Sequence, residues 1–115
     1  MDVAVALLRD MNAKVTAALG PGRFVVLFVP TKFETGTARE AKAGSKPNLV
    51  GDELRSRLSA VEVMVIDGRT VIGPDDFWAR DGHWNRKGHE KIATLVAAEL
   101  KRMLAVATGG VRKQL

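Results

Sequence analysis

The densest run of chemistry-bearing side chains is Asp81-Gly82-His83-Trp84-Asn85-Arg86-Lys87-Gly88-His89. An imidazole two residues after a carboxylate, in a turn relaxed by Gly82, can have its Nδ1–H held by that carboxylate. Nε2 is then free to take a proton from a nucleophile, which is the base-and-orienter half of a Ser-His-Asp system. Asn85 is suited to cap a helix beginning at Arg86, its side chain satisfying a first-turn N–H. Arg86 and Lys87 then fall in the first turn, where the helix dipole disfavours positive charge. Asp81, or a bound anion, is expected to offset them.

Plainer readings stand beside each of these. An Asp-x-His pair also occurs as a local hydrogen bond in a surface loop, and spacing alone does not separate the two. His89 shares a helical face with Ile92, Ala93 and Val96 and reads as a partly buried helix-start residue. Trp84 reads as packing that fixes the His83 loop rather than as a substrate platform. Asp81, His83 and His89 are also the makings of a two-histidine, one-carboxylate metal site.

The elements that must position this loop follow from periodicity. Leu8, Met11, Val15 and Leu19 recur at helical spacing, and Gly20-Pro21-Gly22 ends that helix. Residues 24–29, Phe-Val-Val-Leu-Phe-Val, are apolar without alternation, the pattern of a parallel strand covered on both faces. Pro30 stops it. Residues 32–48 form a long polar connection in which 37–42 have the makings of a helical turn. Val50, Leu54, Leu58 and Val61 mark a second helix, and 61–66 a second buried strand running to Asp67. Gly73-Pro74-Asp75-Asp76 is a turn signal. A last helix from about Arg86 to Leu104 buries Ile92, Leu95, Val96, Leu100 and Met103. Two apolar parallel strands leave two unpaired edges. Either a third strand hides in 69–80 or another polypeptide supplies the missing strands, and we favour the second.

Composition narrows the partners. The 115 residues suit one small domain, and with no cysteine there are no disulfides or thiolate sites. The net charge of +5 lies wholly in residues 86–115, whose seven basic side chains face only Glu90 and Glu99. That density is low for a nucleic-acid arm, and aromatics at 5% offer few stacking platforms, so nucleic-acid binding is not expected. No apolar run is long enough to span a bilayer. In MDVAVALLRDM an acid precedes the apolar stretch and arginine follows it, the wrong order for a secretory signal. The compartment stays open.

The block Asp81-x-His83-Trp84-Asn85-x-x-Gly88-His89, followed by an Ala-rich amphipathic helix, resembles the SGNH (GDSL-type) hydrolases. It is closest to the SGNH-like domains of bacterial polysaccharide O-acetylation proteins, such as those acting on alginate. The strand closing in Phe28-Val29-Pro30-Thr31-Lys32 is similar to a feature of that subgroup. The resemblance spans roughly residues 3–104. It implies an α/β chain that forms the C-terminal portion of a flavodoxin-like three-layer α/β/α fold. It also implies His83 as general base, Asp81 as its orienter, and Lys32, Trp84 and Asn85 as substrate-binding or loop-supporting residues.

The family's Gly-Asp-Ser nucleophile motif and its oxyanion-hole blocks are missing. Ser45 falls in a loop and Ser56 and Ser59 on a helix, so none has the strand-to-helix turn a nucleophile needs. Residues 1–104 are therefore expected to be a partial domain lacking the N-terminal nucleophile half, with 105–115 a flexible tail. The function implied is O-acyl, chiefly O-acetyl, ester chemistry on a carbohydrate or small ester, without a cofactor and inactive in this chain alone. The missing half or a second copy is the implied protein partner, and parents of this kind often act outside the cytoplasm. The alternative is a non-catalytic module pairing through its open sheet edge.

Overall fold

The computed structural model describes residues 1–32, residue 35 and residues 49–114, with side chains described up to Ala105. The expected turn at 37–42 and Ser45 lie outside the described residues. Helix α1 (Asp2–Leu19) ends where the Gly20 N–H bonds the Thr16 carbonyl at 2.9 Å and Gly20 turns to φ 92°. None of its residues is buried. Its half-buried row is Val5, Leu8, Asn12, Val15 and Thr16, whereas Met11 and Leu19 of the expected face are exposed. α1 carries a second apolar row, Val3-Leu7-Met11, that points to solvent.

Strand β1 (Val25–Phe28) pairs in parallel with β2 (Met64–Asp67), in the register Val25↔Met64 to Phe28↔Asp67. Helix α2 (Leu49–Ala60) precedes β2 and packs on both α1 and β2. The expected strand start at Val61 is corrected by the way α2 ends. The Leu58 carbonyl accepts from the N–H groups of both Val61 and Val63, the Ser59 carbonyl accepts from Glu62, and Glu62 takes φ 61°. A left-handed residue just past a helix satisfies its last carbonyls. Val61 and Glu62 are spent on that cap, so the ladder begins at Met64 and is four residues long on both strands.

The fold is thus mixed α/β with a two-stranded parallel sheet. Among the described residues 69–80 hold no third strand. They form two single-turn 3-10 helices, Gly68–Thr70 and Pro74–Asp76, and a lone antiparallel bridge joins Phe77 to Trp84. The expectation that both strands are buried is also corrected: β1 is half-buried along its length and in β2 only Ile66 is buried.

Helix α3 (Arg86–Gln114) runs past Leu104, where the sequence reading ended it. At 1.5 Å per residue it is about 43 Å long. It stretches the molecule to 55 × 31 × 20 Å, and the radius of gyration is 16.6 Å, against about 13 Å for a compact chain of this length. The core is correspondingly small. Ile72, Phe77 and Ile92 form a buried cluster, joined by Leu27, Val71, Trp84 and Val96 at its margin. Leu58, Val63 and Ile66 are buried under α2 and β2. No helix among the described residues is long and apolar enough to cross a membrane.

Candidate active site

The Asp81–His83 loop is built on the core cluster. Phe77 is buried in it and Trp84 packs on its margin, and the bridge between them closes the base of an eight-residue loop. Inside the loop the Trp78 N–H donates to the His83 carbonyl at 3.1 Å, and the Asp81 N–H donates to the Trp78 carbonyl at 3.3 Å. Two clamps hold it from outside. Asn85 donates its side-chain amide to the carbonyls of Asp75 (2.8 Å) and Phe77 (3.2 Å). Its Oδ1 accepts the Gly88 N–H at 3.0 Å, so the same side chain caps α3. From the exit of β1, Lys32 donates its ammonium to the Trp78 and Ala79 carbonyls at 2.8 and 3.0 Å. Lys32 and Asn85 therefore support the loop through its backbone, and Trp84 supports it through packing.

At the tip, Asp81 Oδ1 accepts the His83 main-chain N–H at 2.9 Å and also meets His83 Nδ1. Both bonds favour the charged carboxylate, and they hold the Asp81 carboxyl below its ordinary range. With Nδ1 engaged, the nitrogen left to exchange a proton is Nε2, which has no hydrogen-bond partner among the described residues. The His83 side chain is 86% exposed and that of Asp81 53%. The pair is thus preorganised but bathed in water, where its electrostatic effect is screened.

Beside the pair lies a groove of about 530 Å³ lined by Val29, Pro30, Thr31 and Lys32 on one wall and by Phe77, Gly82, His83, Trp84 and His89 on the other. It opens at the carboxyl end of β1, where ligands of parallel sheets bind. The other carboxylate at that end, Asp67, is not free. It takes two bonds from the Arg69 guanidinium, at 2.9 and 2.7 Å, and pairs with Arg55. Against its burial, the Arg69 contact holds the Asp67 carboxyl below its ordinary range.

Several expectations change here. His89 is exposed rather than partly buried, its ring in T-shaped contact with that of Trp84, centroids 5.4 Å apart. Asp81, His83 and His89 do not gather as a metal site: no group of three metal-binding side chains occurs among the described residues. Arg86 in the first turn of α3 is offset by Glu90 at 3.0 Å, one turn on, rather than by Asp81. Ser59 borders the amino end of β2, at the opposite end of the sheet from the groove, and Ser56 sits exposed on α2.

Sequence reasoning missed Asp76, which was read only as part of a turn. It is fully buried, its Oδ2 accepting the Gly73 N–H and the Lys91 ammonium, each at 2.8 Å. Burial pushes its carboxyl up, but Gly73 and Lys91 together outweigh that and hold it below its ordinary range. A lysine one residue before the buried Ile92 was the available signal.

Comparison with known proteins returns no match: no protein-family model, curated protein or solved structure aligns significantly with the chain.

Proposed function

We propose that this chain supplies the Asp-His part of a Ser-His-Asp centre for O-acyl ester hydrolysis or transfer, in an SGNH-like domain whose nucleophile lies on polypeptide outside this chain. The observation that carries the reading is the Asp81 carboxylate bonded to His83 Nδ1 while Nε2 faces open space beside a groove at the carboxyl end of a parallel strand. In that arrangement His83 takes the proton of an attacking hydroxyl through Nε2. Asp81 holds the ring in the tautomer that allows this and stabilises the imidazolium that forms. When the tetrahedral intermediate collapses, the same nitrogen returns the proton to the leaving oxygen and the acyl group stays on the serine. Nε2 then takes the proton of water or a sugar hydroxyl, which attacks the acyl group, and gives that proton back to the departing serine oxygen.

The openness of the site supports a domain completed from elsewhere. A general base gains its full effect in a water-excluded cleft, whereas the His83 side chain is 86% exposed. Among the described residues no strand pairs with the edge of β2 away from β1. Hollows along it are lined by consecutive residues of β2 together with Arg55 and Ser59 of α2, and with Leu95, Glu99 and Arg102 of α3. A strand of a flavodoxin-like three-layer sheet would fit between those helices.

The test is p-nitrophenyl acetate turnover by the 115-residue chain and by protein carrying the remainder of the domain. The chain alone is expected to show background rates unchanged by His83→Ala, because a base without its nucleophile loses nearly all of the effect of the unit. The completed protein is expected to lose at least about a thousandfold on His83→Ala. Turnover by the chain alone that disappears in His83→Ala would overturn the division of the site.

A further inference from the structure

We infer that the pair of buried Asp76 with half-exposed Lys91 is a positioning device for His83, an inference that rests on the acid–base reading of the Asp81–His83 loop. Asp76 Oδ2 is bonded twice, but its buried Oδ1 has no partner among the described residues. A half-satisfied buried carboxylate is costly, and Lys91, 46% exposed, relieves only part of that cost, which an apolar side chain of similar volume at 76 would not carry. Packing therefore gives no reason for the charges. What they supply is direction.

Lys91 stands on the second turn of α3 and Asp76 ends the 3-10 turn that leads into the loop, so the bond joins the two elements between which the loop is strung. The bond to Gly73 fixes the twist of Asp76's own backbone. With that twist set, the Asp76 carbonyl accepts the Asn85 N–H at 2.9 Å, at the point where the loop enters α3. One residue on, Phe77 bridges Trp84, and Trp78 then holds the His83 carbonyl. The backbone that carries the imidazole is thus tied to the ion pair through the Asn85–Asp76 and Trp78–His83 hydrogen bonds and the short stretch of chain between them. Gly88 marks the same junction, since a Cβ there would lie 2.4 Å from the Asp76 carbonyl oxygen.

The experiment reads which ring nitrogen of His83 carries the proton, by ¹⁵N-edited NMR of the intact chain. With Asp81 in place the neutral ring is expected to be protonated on Nδ1, whereas a free histidine ring favours Nε2. The apolar pair Asp76→Leu/Lys91→Met is expected to keep a melting temperature at or above that of the parent but to lose the Nδ1–H signature. The neutral hydrogen-bonding pair Asp76→Asn/Lys91→Gln, which can still serve Gly73 and bridge to α3, is expected to retain it. An apolar pair that folds and keeps Nδ1–H overturns the inference, as does a neutral pair that folds and loses it. A parent chain protonated on Nε2 overturns the acid–base reading itself, and the inference with it.

Discussion

Asp81 grips His83 twice with one oxygen, through the ring and through the main-chain N–H. The second bond is a local Asx-type turn, which is why a spacing of two residues was enough to expose the pair in the sequence. The cap at Asn85 was legible for the same reason, since both its partners and its role are local. Lys32 was named through the family resemblance alone: its bonds reach 46 and 47 residues along the chain, and nothing in a linear pattern announces them. Asp76 hid because an acid after Gly-Pro reads as solvated turn chemistry, and only the fold buries it.

The bonds that Asp76 accepts have a consequence in acid. The Asp67 and Asp76 carboxyls are both held below their ordinary range in the folded chain, so the unfolded chain binds protons first as pH falls. Their contribution to stability is complete above the unfolded value of about 3.9 and drains away as pH drops through the folded values. Urea midpoints are expected to fall between pH 7 and pH 3, and to fall less in Asp67→Asn. An unchanged midpoint down to pH 3 would contradict this.

At the scale of elements, the order helix, strand, helix, strand, helix was readable from periodicity and from Gly-Pro punctuation, and the described residues have it, with two 3-10 turns before the last helix. The strand bounds were less readable, because apolar Val61 suits a strand as well as the cap it makes. The face of α1 was misread for a related reason: two apolar rows run along one helix, and only contact with α2 selects between them.

The meeting of α3 with the loop gives a sharper test. Gly88 lies in the first turn of a helix, where alanine is ordinarily better by about 1 kcal/mol. Here a Cβ would meet the Asp76 carbonyl oxygen at 2.4 Å and Trp84 Cβ at 2.9 Å, whereas at Gly82 it would meet nothing within 4 Å. Gly88→Ala is expected to destabilise by about 1–3 kcal/mol and Gly82→Ala to be near neutral, read from chemical denaturation. A stabilised Gly88→Ala would show that α3 and the turn do not meet as described.

For the whole molecule, the sequence already posed the decisive problem, two apolar parallel strands with nothing to pair their outer edges. Among the described residues the structure keeps that problem: a two-stranded sheet, an elongated shape and a small buried core. Under the proposed function, the Asp-His pair and the sheet edge left unpaired among the described residues have one explanation: a catalytic part completed by another surface that supplies a hydroxyl and excludes water. The claim beneath all of this is that Asp81 sets the His83 ring so that Nε2 is the working base. The most direct measurement compares the ring-nitrogen NMR spectra of the parent chain and Asp81→Asn near neutral pH. We expect the proton on Nδ1 in the parent and a shift toward Nε2 in the variant. The same Nε2-protonated ring in both would mean that Asp81 orients nothing.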